Sequence, residues 1–550
     1  MIPTGLPPRL ASSIALMILA GALLFSATVR WRLRDFPLER DEGGFAYIGQ
    51  LLLQGIPPFQ IAWDNKPPGL YVAYSAMMTL FGQTAAGIHL GLLAVNLATI
   101  VLVFLVARDL FDSLTGGIAA AAYSLLALSP SVLGMAAHAT HFVNLFGVAG
   151  TWALWRALRS DKFRLLAASG LLFGTAFLMK QQGIILGGFG AFVVLTHYAC
   201  RQPFSWRKLL TGAAVFTLGV LLPYAATCFW LWRAGVFDRF WFCTVVCPSY
   251  YAQQNDFETG SWLFWRSFVG IAAANWPLEI AALLGALLVG LARQADNVRW
   301  FLLAYFAFSV ASICPGYYFH PHYFIQLLPA VAIFDGVAGS WLLGLARRPA
   351  GNEAASGSRQ GFLPWPMAVL LMMAAGAFVI GQQWEFFFQR TPTEACREAY
   401  HAEPFVEMPV IAAYVSRHST PDQRVAIWGS EPELYFYTRR HAASGHIYLY
   451  SVLERQPFAT LLQKELCREI ETAKPEFFVL VHMPKSLWIA TSAVDQSTVT
   501  WLDSYLSSYY RPVGLVDIVS PRRTDYRWDD EATQAQPRGS NYIWVFRRNN

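Results

Sequence analysis

The sequence predicts a polytopic α-helical membrane protein that carries a soluble α/β domain at its C-terminal end. Of the 550 residues, 55% are hydrophobic and only 14% are charged, whereas soluble domains carry about 25% charged residues. Apolar runs that are long enough to cross a bilayer recur through most of the chain, and its last part is polar. Such runs form helices in lipid, because every backbone polar group then finds a partner within its own segment.

The apolar runs predict about eleven transmembrane helices. The first run, at about 11–29, resembles a signal peptide, but Arg30 and Arg32 follow it directly, so we expect a retained span with a cytoplasmic N-terminus. The remaining spans are expected at about 85–107, 118–133, 141–157, 165–181, 183–199, 211–232, 267–292, 299–314, 324–346 and 364–383.

The distribution of Lys and Arg gives the expected orientation. They cluster in alternate connecting loops, all on the side of the N-terminus: Arg108; Arg156, Arg159, Lys162 and Arg164; Arg201, Arg207 and Lys208; Arg293 and Arg299; Arg347, Arg348 and Arg359. Cytoplasmic loops are rich in such residues, so an odd number of spans leaves the C-terminal part outside the cytoplasm. We therefore expect a multi-pass membrane protein whose N-terminus is cytoplasmic and whose C-terminal domain is extracytoplasmic.

Two domains follow from these patterns. Residues 1–385 form the membrane domain, in which 31–84 is the first outer loop with two short helices along the membrane surface, at about 44–54 and 70–81. Residues 386–550 form the outer α/β domain, with short strand-like and helical runs. A Gly- and Ser-rich connector at 351–361 precedes the last span.

Charge and cysteine content exclude two other classes of protein. The net charge is +6, but the basic residues lie in short clusters between apolar runs and report topology, so no nucleic-acid partner is expected. The seven cysteines lie far apart, apart from Cys243 and Cys247, and do not predict a disulfide scaffold. That pair either forms a bridge or remains two thiols at helical spacing.

Two motifs in the first outer loop indicate the active site. Arg40-Asp41-Glu42-Gly43-Gly44 holds adjacent carboxylates, and Asp64-Asn65-Lys66-Pro67-Pro68-Gly69 holds a lysine whose backbone is restricted by the prolines. Charged groups beside a membrane are costly and usually functional. Asp41 and Glu42 could also act only as helix caps, and Lys66 could be an interfacial anchor.

Further polar residues fall in the other outer loops. They are His138 and His141; Lys180, Gln181 and Gln182; Asp238, Arg239, Tyr250 and Tyr251; and Tyr317, Tyr318, His320, His322 and Tyr323. We expect a cavity near the outer surface that binds an anion, with a carboxylate that accepts a proton. Such cations suit a phosphate leaving group, which a lipid carrier would bring to this depth. Each histidine could equally be a packing residue, and Arg239 could pair with Asp238 or with lipid headgroups.

The motifs resemble a known family. Asp41-Glu42-Gly43 with Tyr47, and Trp63-Asp64-Asn65-Lys66-Pro67-Pro68-Gly69, are similar to the first outer loop of bacterial glycosyltransferases of the protein-mannosyltransferase-like group, glycosyltransferase family 39. Lys180-Gln181-Gln182-Gly183 and the run from His322 to Pro329 agree with it. This group has the GT-C fold and includes lipid A aminoarabinose transferases and rhizobial galacturonosyltransferases. The resemblance covers about residues 1–385.

The resemblance implies a function in the cell envelope, modifying lipopolysaccharide or another glycan. The enzyme would transfer a sugar from a polyprenyl-phosphate donor to a lipid, glycan or protein acceptor, with inversion, at the outer face of the cytoplasmic membrane. By position, Asp41 would be the base and Glu42 the second choice. The donor phosphate would be held by Lys66, Lys180, Arg239, His322 and Tyr323.

The resemblance also raises the question of a divalent metal ion, whose ligands would come from Asp41, Asp64, His138 and His141. The sequence departs from the family pattern at two places: Thr140-His141 stands where many relatives have an acidic residue, and Asn65 stands where aminoarabinose transferases have a glutamate.

Two rival classes stay open, a transporter or flippase for a lipid-linked anion, and a membrane-anchored scaffold. The polar residues gather at the outer face, and a large outer loop follows the first span. Both features favour an enzyme over a transporter.

Overall fold

The computed structural model describes residues 7–291, 296–345, 365–487 and 495–549. The chain forms two compact units. The first comprises Met1–Leu33, Leu90–Thr227 and Gln254–Arg390, and the second comprises Arg34–His89, Cys228–Gln253 and Thr391–Asn550. The predicted domains grouped the first outer loop with the membrane helices, whereas in the structure most of this loop packs with the C-terminal residues.

The helices follow one another along the chain with short connections. In order, the α-helices up to the C-terminal part are α1 (Pro8–Arg32), α2 (Arg40–Leu53), α3 (Gly69–Phe81), α4 (Ala85–Leu110), α5 (Ser113–Leu126), α6 (Ala139–Ser160), α7 (Phe163–Met179), α8 (Gly183–Ala199), α9 (Trp206–Arg233), α10 (Phe237–Trp241), α11 (Cys247–Tyr251), α12 (Phe257–Leu291), α13 (Asp296–Ile313), α14 (Leu328–Leu345) and α15 (Trp365–Gln382). A 3₁₀ helix, Pro321–Leu327, leads into α14.

Most of the apolar runs predicted as spans coincide with helices over the described residues, but in the run at about 118–133 the helix ends at Leu126 and is followed by a 3₁₀ turn at Pro130–Val132. Five helical segments are long and apolar enough to cross a membrane: Arg9–Arg32, Ala85–Leu110, Trp206–Arg233, Phe257–Leu291 and Pro321–Leu345. Shorter apolar helices accompany them, among them Phe163–Met179 and Gly183–Ala199. The helical membrane part of the prediction is confirmed, and the expected number of about eleven spans stays a prediction.

Small residues set the spacing between helices in the first unit. α5 packs between α1 and α14, and α14 also packs on α12. A Cβ on Gly336 of α14 would overlap the backbone of Thr115 in α5, and one on Gly285 of α12 would overlap the backbone of Phe334. Helices in membranes associate through close approach of their backbones at small residues. Lipid is as apolar as their side chains, so the hydrophobic effect does not drive them together.

The C-terminal part is a small α/β domain, as predicted. Its helices are α16 (Pro392–Tyr400), α17 (Met408–Arg417), α18 (Glu433–Thr438), α19 (Tyr450–Leu453), α20 (Ala459–Ala473), α21 (Pro484–Leu487), α22 (Gln496–Tyr509) and α23 (Asp530–Thr533). Its strands are β1 (Val425–Trp428), β2 (Phe477–His482), β3 (Tyr510–Ser520), β4 (Arg523–Trp528) and β5 (Tyr542–Arg548).

These strands form one sheet in the order β1-β2-β5-β3-β4. β1 and β2 are parallel, and the other neighbours are antiparallel. The sequence did not predict β4, whose side chains are mostly half-buried and lack a clear apolar alternation. The predicted connector 351–361 lies outside the described residues.

Within the second unit, α2 is seated directly on residues of the C-terminal part. Gly43 and Gly44 face this contact: a Cβ on Gly43 would overlap the backbone of Glu433, and one on Gly44 would overlap the hydroxyl of Tyr448. One and two turns further on, the Tyr47 hydroxyl accepts a hydrogen bond from Ala442 N (2.8 Å) and Gln50 Nε2 donates to a carbonyl at 3.4 Å. Only glycine permits this approach of the helix.

We therefore expect Gly43→Ala to destabilise the protein. The added methyl group meets backbone rather than a mobile side chain, so the cost should lie near that of overpacking a core, about 1 to 3 kcal/mol. The midpoint of thermal unfolding of the detergent-purified protein measures it. Gly21→Ala is the matched control, because a Cβ there has nothing within 4 Å. Equal midpoints for the two variants would contradict the close packing of α2 on the C-terminal residues.

Candidate active site

The N-terminus of α2 is closed by a capping box. Glu42 N donates to Glu39 Oε1 at 2.9 Å, and Glu39 N donates to Glu42 Oε2 at 3.2 Å. The helix thus begins at Arg40, about four residues before the predicted start at about residue 44. Burial, followed by the negative charges of Asp41 and Glu42, raises the pKa of Glu39 well above its ordinary value.

Glu42 is fully buried and serves this helix end. Its second oxygen, Oε1, lies 3.0 Å from Nε2 of His89. The other ring nitrogen, Nδ1, must donate to the carbonyl oxygen of Arg34, 2.8 Å away, because a carbonyl only accepts. Both carboxylate oxygens of Glu42 are therefore engaged in holding the chain, which makes this residue the poorer of the two predicted bases.

Asp41 occupies the first turn of α2 and is half-buried. The positive end of a helix dipole stabilises a carboxylate at this position. Asp41 also lies close enough to Asp64 for its charge to raise the pKa of that group. The two acidic side chains from the two loop motifs are thus neighbours in one unit.

Arg40 fixes the backbone immediately before Asp41. Its guanidinium donates to Ser430 O at 2.6 Å, to Glu403 Oε2 at 3.0 Å and to Glu431 Oε1 at 3.2 Å. Burial alone would lower the pKa of Arg40, but the surrounding carboxylates outweigh it and raise the pKa. The start of α2 is therefore held by charge-assisted bonds from the C-terminal residues.

Lys66 lies on the same face of α2 as Asp41. Its Nζ donates to the side-chain oxygen of Asn65 and lies 5.9 Å from the centre of the Phe45 ring. Phe45 follows Asp41 by four residues, so the two project from the same side of the helix. The predicted base and the predicted phosphate ligand therefore share one face.

Asp64 is buried and accepts two hydrogen bonds. Asn65 N donates to its Oδ1 at 2.6 Å, and the Tyr71 hydroxyl donates to its Oδ2 at 3.0 Å. Burial raises the pKa of Asp64, and the charge of Lys66 opposes that rise. The two hydrogen bonds hold the Asp64 carboxylate in place, and both of its oxygens are occupied by protein donors.

Arg239, a predicted phosphate ligand, is paired with a carboxylate in the structure. Its Nη2 donates to Glu465 Oε1 at 2.7 Å, and its guanidinium carbon lies 3.8 Å from the ring centre of Trp63. His446 Nε2 lies 3.1 Å from the other oxygen of Glu465. The hydrogen bond from His446 and the one from Arg239 lower the pKa of Glu465 to about 2. The partner is Glu465, not the adjacent Asp238 that the sequence suggested.

In the first unit, four of the predicted residues form a second cluster. Lys180 ends α7 and places its Nζ 3.6 Å from the ring centre of Tyr323, a cation–π contact. The rings of His138 and His322 stack with centres 4.2 Å apart and an angle of 13°. Tyr323 meets His322 edge to face. His141 is buried in the first turn of α6.

The four candidate metal ligands divide between the two units. Asp41 and Asp64 belong to the second unit, and His138 and His141 to the first. Carboxylate oxygens and imidazole nitrogens suit a divalent transition ion chemically. Asp64, with both oxygens accepting hydrogen bonds from protein groups, fits less well than Asp41. Metal binding stays a prediction.

Several residues of these clusters were not found from the sequence. The spacing of Glu39 and Glu42 is that of a capping box and could have located the helix start. No local pattern marks the residues that Arg40, Arg239 and Gly44 contact, because they lie about 200 to 400 residues away along the chain. They are the carboxylate partners of Arg40, then Glu465 and Tyr448.

Known proteins resemble the chain over much of its length. The model of the family described as dolichyl-phosphate-mannose-protein mannosyltransferase matches residues 65–230. An undecaprenyl phosphate-alpha-4-amino-4-deoxy-L-arabinose arabinosyl transferase from Pseudomonas paraeruginosa is 26% identical over 326 residues. That match covers 54% of this chain and 55% of the relative, so it spans about half the relative's length.

Solved structures extend the likeness to the whole architecture. ArnT from Cupriavidus metallidurans, bound to undecaprenyl phosphate, has a TM-score of 0.56 at 17% identity, over 87% of this chain and 95% of its own. The oligosaccharyltransferase AglB from Archaeoglobus fulgidus, in complex with an inhibitory peptide and a dolichol-phosphate, has a TM-score of 0.52 at 12% identity, over 94% and 74%. The chain has the GT-C fold. It is a membrane protein related to the aminoarabinose transferases, and the predicted resemblance is confirmed.

The two carboxylates of the first motif should differ in what they support. Glu42→Ala removes the capping box and the contact with His89, and should lower the free energy of unfolding by about 1 to 3 kcal/mol. Asp41→Ala, at the neighbouring half-buried position, should lower the free energy of unfolding by much less. Thermal unfolding of both purified variants checks this. The structural role assigned to Glu42 would be contradicted if the two variants unfolded at the same midpoint, or if Asp41→Ala were less stable than Glu42→Ala.

Proposed function

We propose that the protein is a glycosyltransferase that moves a sugar from a polyprenyl-phosphate donor to an acceptor hydroxyl, with inversion at the anomeric carbon. Asp41 is the base in this proposal. The likeness to a transferase that by name uses an undecaprenyl-phosphate sugar, and to a fold that holds undecaprenyl phosphate in ArnT, supports the donor class.

The observation that carries the proposal is the shared face at the start of α2. A half-buried carboxylate, Asp41, projects from the first turn, and the ammonium of Lys66 lies over Phe45 one turn further along the same face. Displacement of a phosphate needs a base for the attacking hydroxyl and a cation for the departing oxygens. Both are present within a few ångströms of one short helix.

The reaction follows from these two groups. Asp41 accepts the proton of the acceptor hydroxyl as its oxygen attacks the anomeric carbon. The bond between that carbon and the phosphate oxygen breaks on the opposite side, and both bonding electrons leave with the polyprenyl phosphate. Lys66 stabilises the charge that develops on the phosphate, and pre-positioned cations are effective here because they need no reorganisation during the reaction.

Lys180, His322 and Tyr323 are further proposed ligands of the donor phosphate. Their clustering supports this role: the Lys180 ammonium lies on the Tyr323 ring, and His322 lies beside the same ring. Arg239 is a weaker candidate, since Glu465 neutralises its charge. A divalent ion, where present, would supply further positive charge.

The proposed location is the cytoplasmic membrane of a bacterium, with the C-terminal α/β domain and the start of α2 outside the cytoplasm. The clustering of Lys and Arg in alternate loops supports this orientation. Acceptors at that surface include lipids, glycans and proteins.

Transfer of label from radiolabelled polyprenyl-phosphate sugars to membrane extracts tests the proposal. For the purified protein in nanodiscs, Asp41→Asn should lower the rate by about 10² to 10⁴-fold, because the base is lost. Binding of the donor should persist. Asp238→Asn is the matched control, since Asp238 is an exposed acidic residue on α10. It should transfer like the parent.

Two results would reject the proposal. If the parent binds donor and carries it across a vesicle membrane without transferring sugar, the protein is a transporter or flippase. If Asp41→Asn transfers as fast as the parent, another group is the base.

A further inference from the structure

Two connections between helices of the first unit concentrate positive charge on one face. Residues 156–164, between α6 and α7, and residues 199–208, between α8 and α9, together hold seven Lys and Arg residues but a single carboxylate, Asp161. That carboxylate ties the two connections together: Arg201 Nη1 lies 3.0 Å from its Oδ1, and Lys208 Nζ donates to its Oδ2 at 2.8 Å. We call this surface the basic face.

Most of the positive charge on the basic face is not neutralised by the chain. Arg156 lies 3.6 Å from Asp109. Among the residues that the structure describes, the other four cations form no ion pair, and each of them is exposed: Arg159, Lys162, Arg164 and Arg207. Arg108, in the preceding connection, differs from them, because Asp109 binds its guanidinium at 2.8 Å. The basic face thus presents a surplus of positive charge that attracts anions.

The packing of α7 on α9 adds positive potential to the same face. The two helices run side by side in the same direction, because a Cβ on Gly170 would overlap the carbonyl oxygen of Phe216, and one on Gly174, a turn later, would overlap that of Val220. Both helices start at the basic face, one after each connection. Helix N-termini carry unpaired N–H groups and a partial positive charge.

Exposed aromatic residues indicate that the basic face lies at the membrane surface. Phe204 and Trp206 come just before Arg207, their rings meet edge to face with centres 4.9 Å apart, and Trp206 is 67% exposed. The helix that follows, Trp206–Arg233, is long and apolar enough to cross a membrane. Tryptophan is typical of the headgroup level, where Lys and Arg beside a span attract anionic lipids.

We propose that the basic face binds the headgroups of anionic phospholipids in the leaflet that surrounds it. The four cations without an ion pair contact the lipid phosphates, while Phe204 and Trp206 pack on the upper parts of the acyl chains. A soluble anion or a nucleic acid would meet the same charges, but it would leave the exposed aromatic side chains without an apolar partner. The inference does not depend on the proposed sugar transfer.

Native mass spectrometry of the full-length protein in detergent tests this with two lipids that differ in charge. Dioleoyl phosphatidylglycerol is an anion, and dioleoyl phosphatidylethanolamine has the same acyl chains but no net charge. We expect the parent to bind phosphatidylglycerol about tenfold or more tightly than phosphatidylethanolamine, since each Lys or Arg at a membrane surface favours an anionic lipid. This preference should fall as the ionic strength is raised.

Removing the four charges should abolish most of this preference. A four-residue variant is expected to bind the two lipids within about twofold of each other: R159Q/K162Q/R164Q/R207Q. A matched control removes the same number and kinds of charge from exposed positions of the C-terminal domain: R417Q/K464Q/R468Q/R522Q. The control should keep the parent's preference, and so should a variant that retains the charges: R159K/R164K/R207K.

The proposal is overturned if the parent binds both lipids equally, if the four-residue variant keeps the parent's preference, or if the control loses as much of it. It is also overturned if glycerol 3-phosphate displaces phosphatidylglycerol at equal concentration, because the face would then bind free phosphate. Thermal unfolding midpoints show that the variants are folded. If the four-residue variant unfolds earlier than the parent, R159Q/R207Q, with one change in each connection, takes its place and should still reduce the preference.

Discussion

The contact of the glycine face of α2 with the C-terminal residues is the constraint on which the candidate site depends. Gly43 and Gly44 let the helix approach Glu433 and Tyr448 as closely as backbone allows, and Arg40 is clamped by Glu431 just before Asp41. The position of the proposed base is thus set by chain that lies almost 400 residues away in sequence. In the proposed mechanism, the C-terminal domain contributes by holding α2 in place.

Electrostatics explain why so many acidic groups tolerate each other around this helix. Glu39 and Glu42 cap the helix, and the dipole of α2 favours negative charge at its start. Glu431 and Glu403 share an ion pair with Arg40, and Glu433 beside them is buried with a pKa raised by burial and by Glu431. Most of these carboxylates are thereby paired with a cation or serve as caps, and burial opposes the ionisation of Glu433. Asp41 is the acidic group in this set that the surrounding chain leaves half-exposed.

The sequence predicted the fold class, the helices of the membrane part and the motif residues, because period, hydropathy and charge are local properties. It did not predict that Arg239 pairs with Glu465, that Trp63 packs against Gly445, or that Tyr448 meets Gly44. Those contacts are set by tertiary packing between distant segments, and single residues such as Glu465 carry no local mark of their partner. For Glu42, the local signal was present in its spacing from Glu39 and indicated a cap rather than a base.

In the proposed mechanism, one carboxylate on α2 activates the acceptor for a single displacement at the anomeric carbon. The configuration of the product tests this most directly. A polyprenyl-phosphate sugar of known anomeric configuration is converted by the purified protein, and proton NMR of the product gives the configuration of the new glycosidic bond. A single displacement with Asp41 as the base gives inversion. Retention would require a second, covalent step on a nucleophilic side chain and would contradict the role of Asp41 as a base.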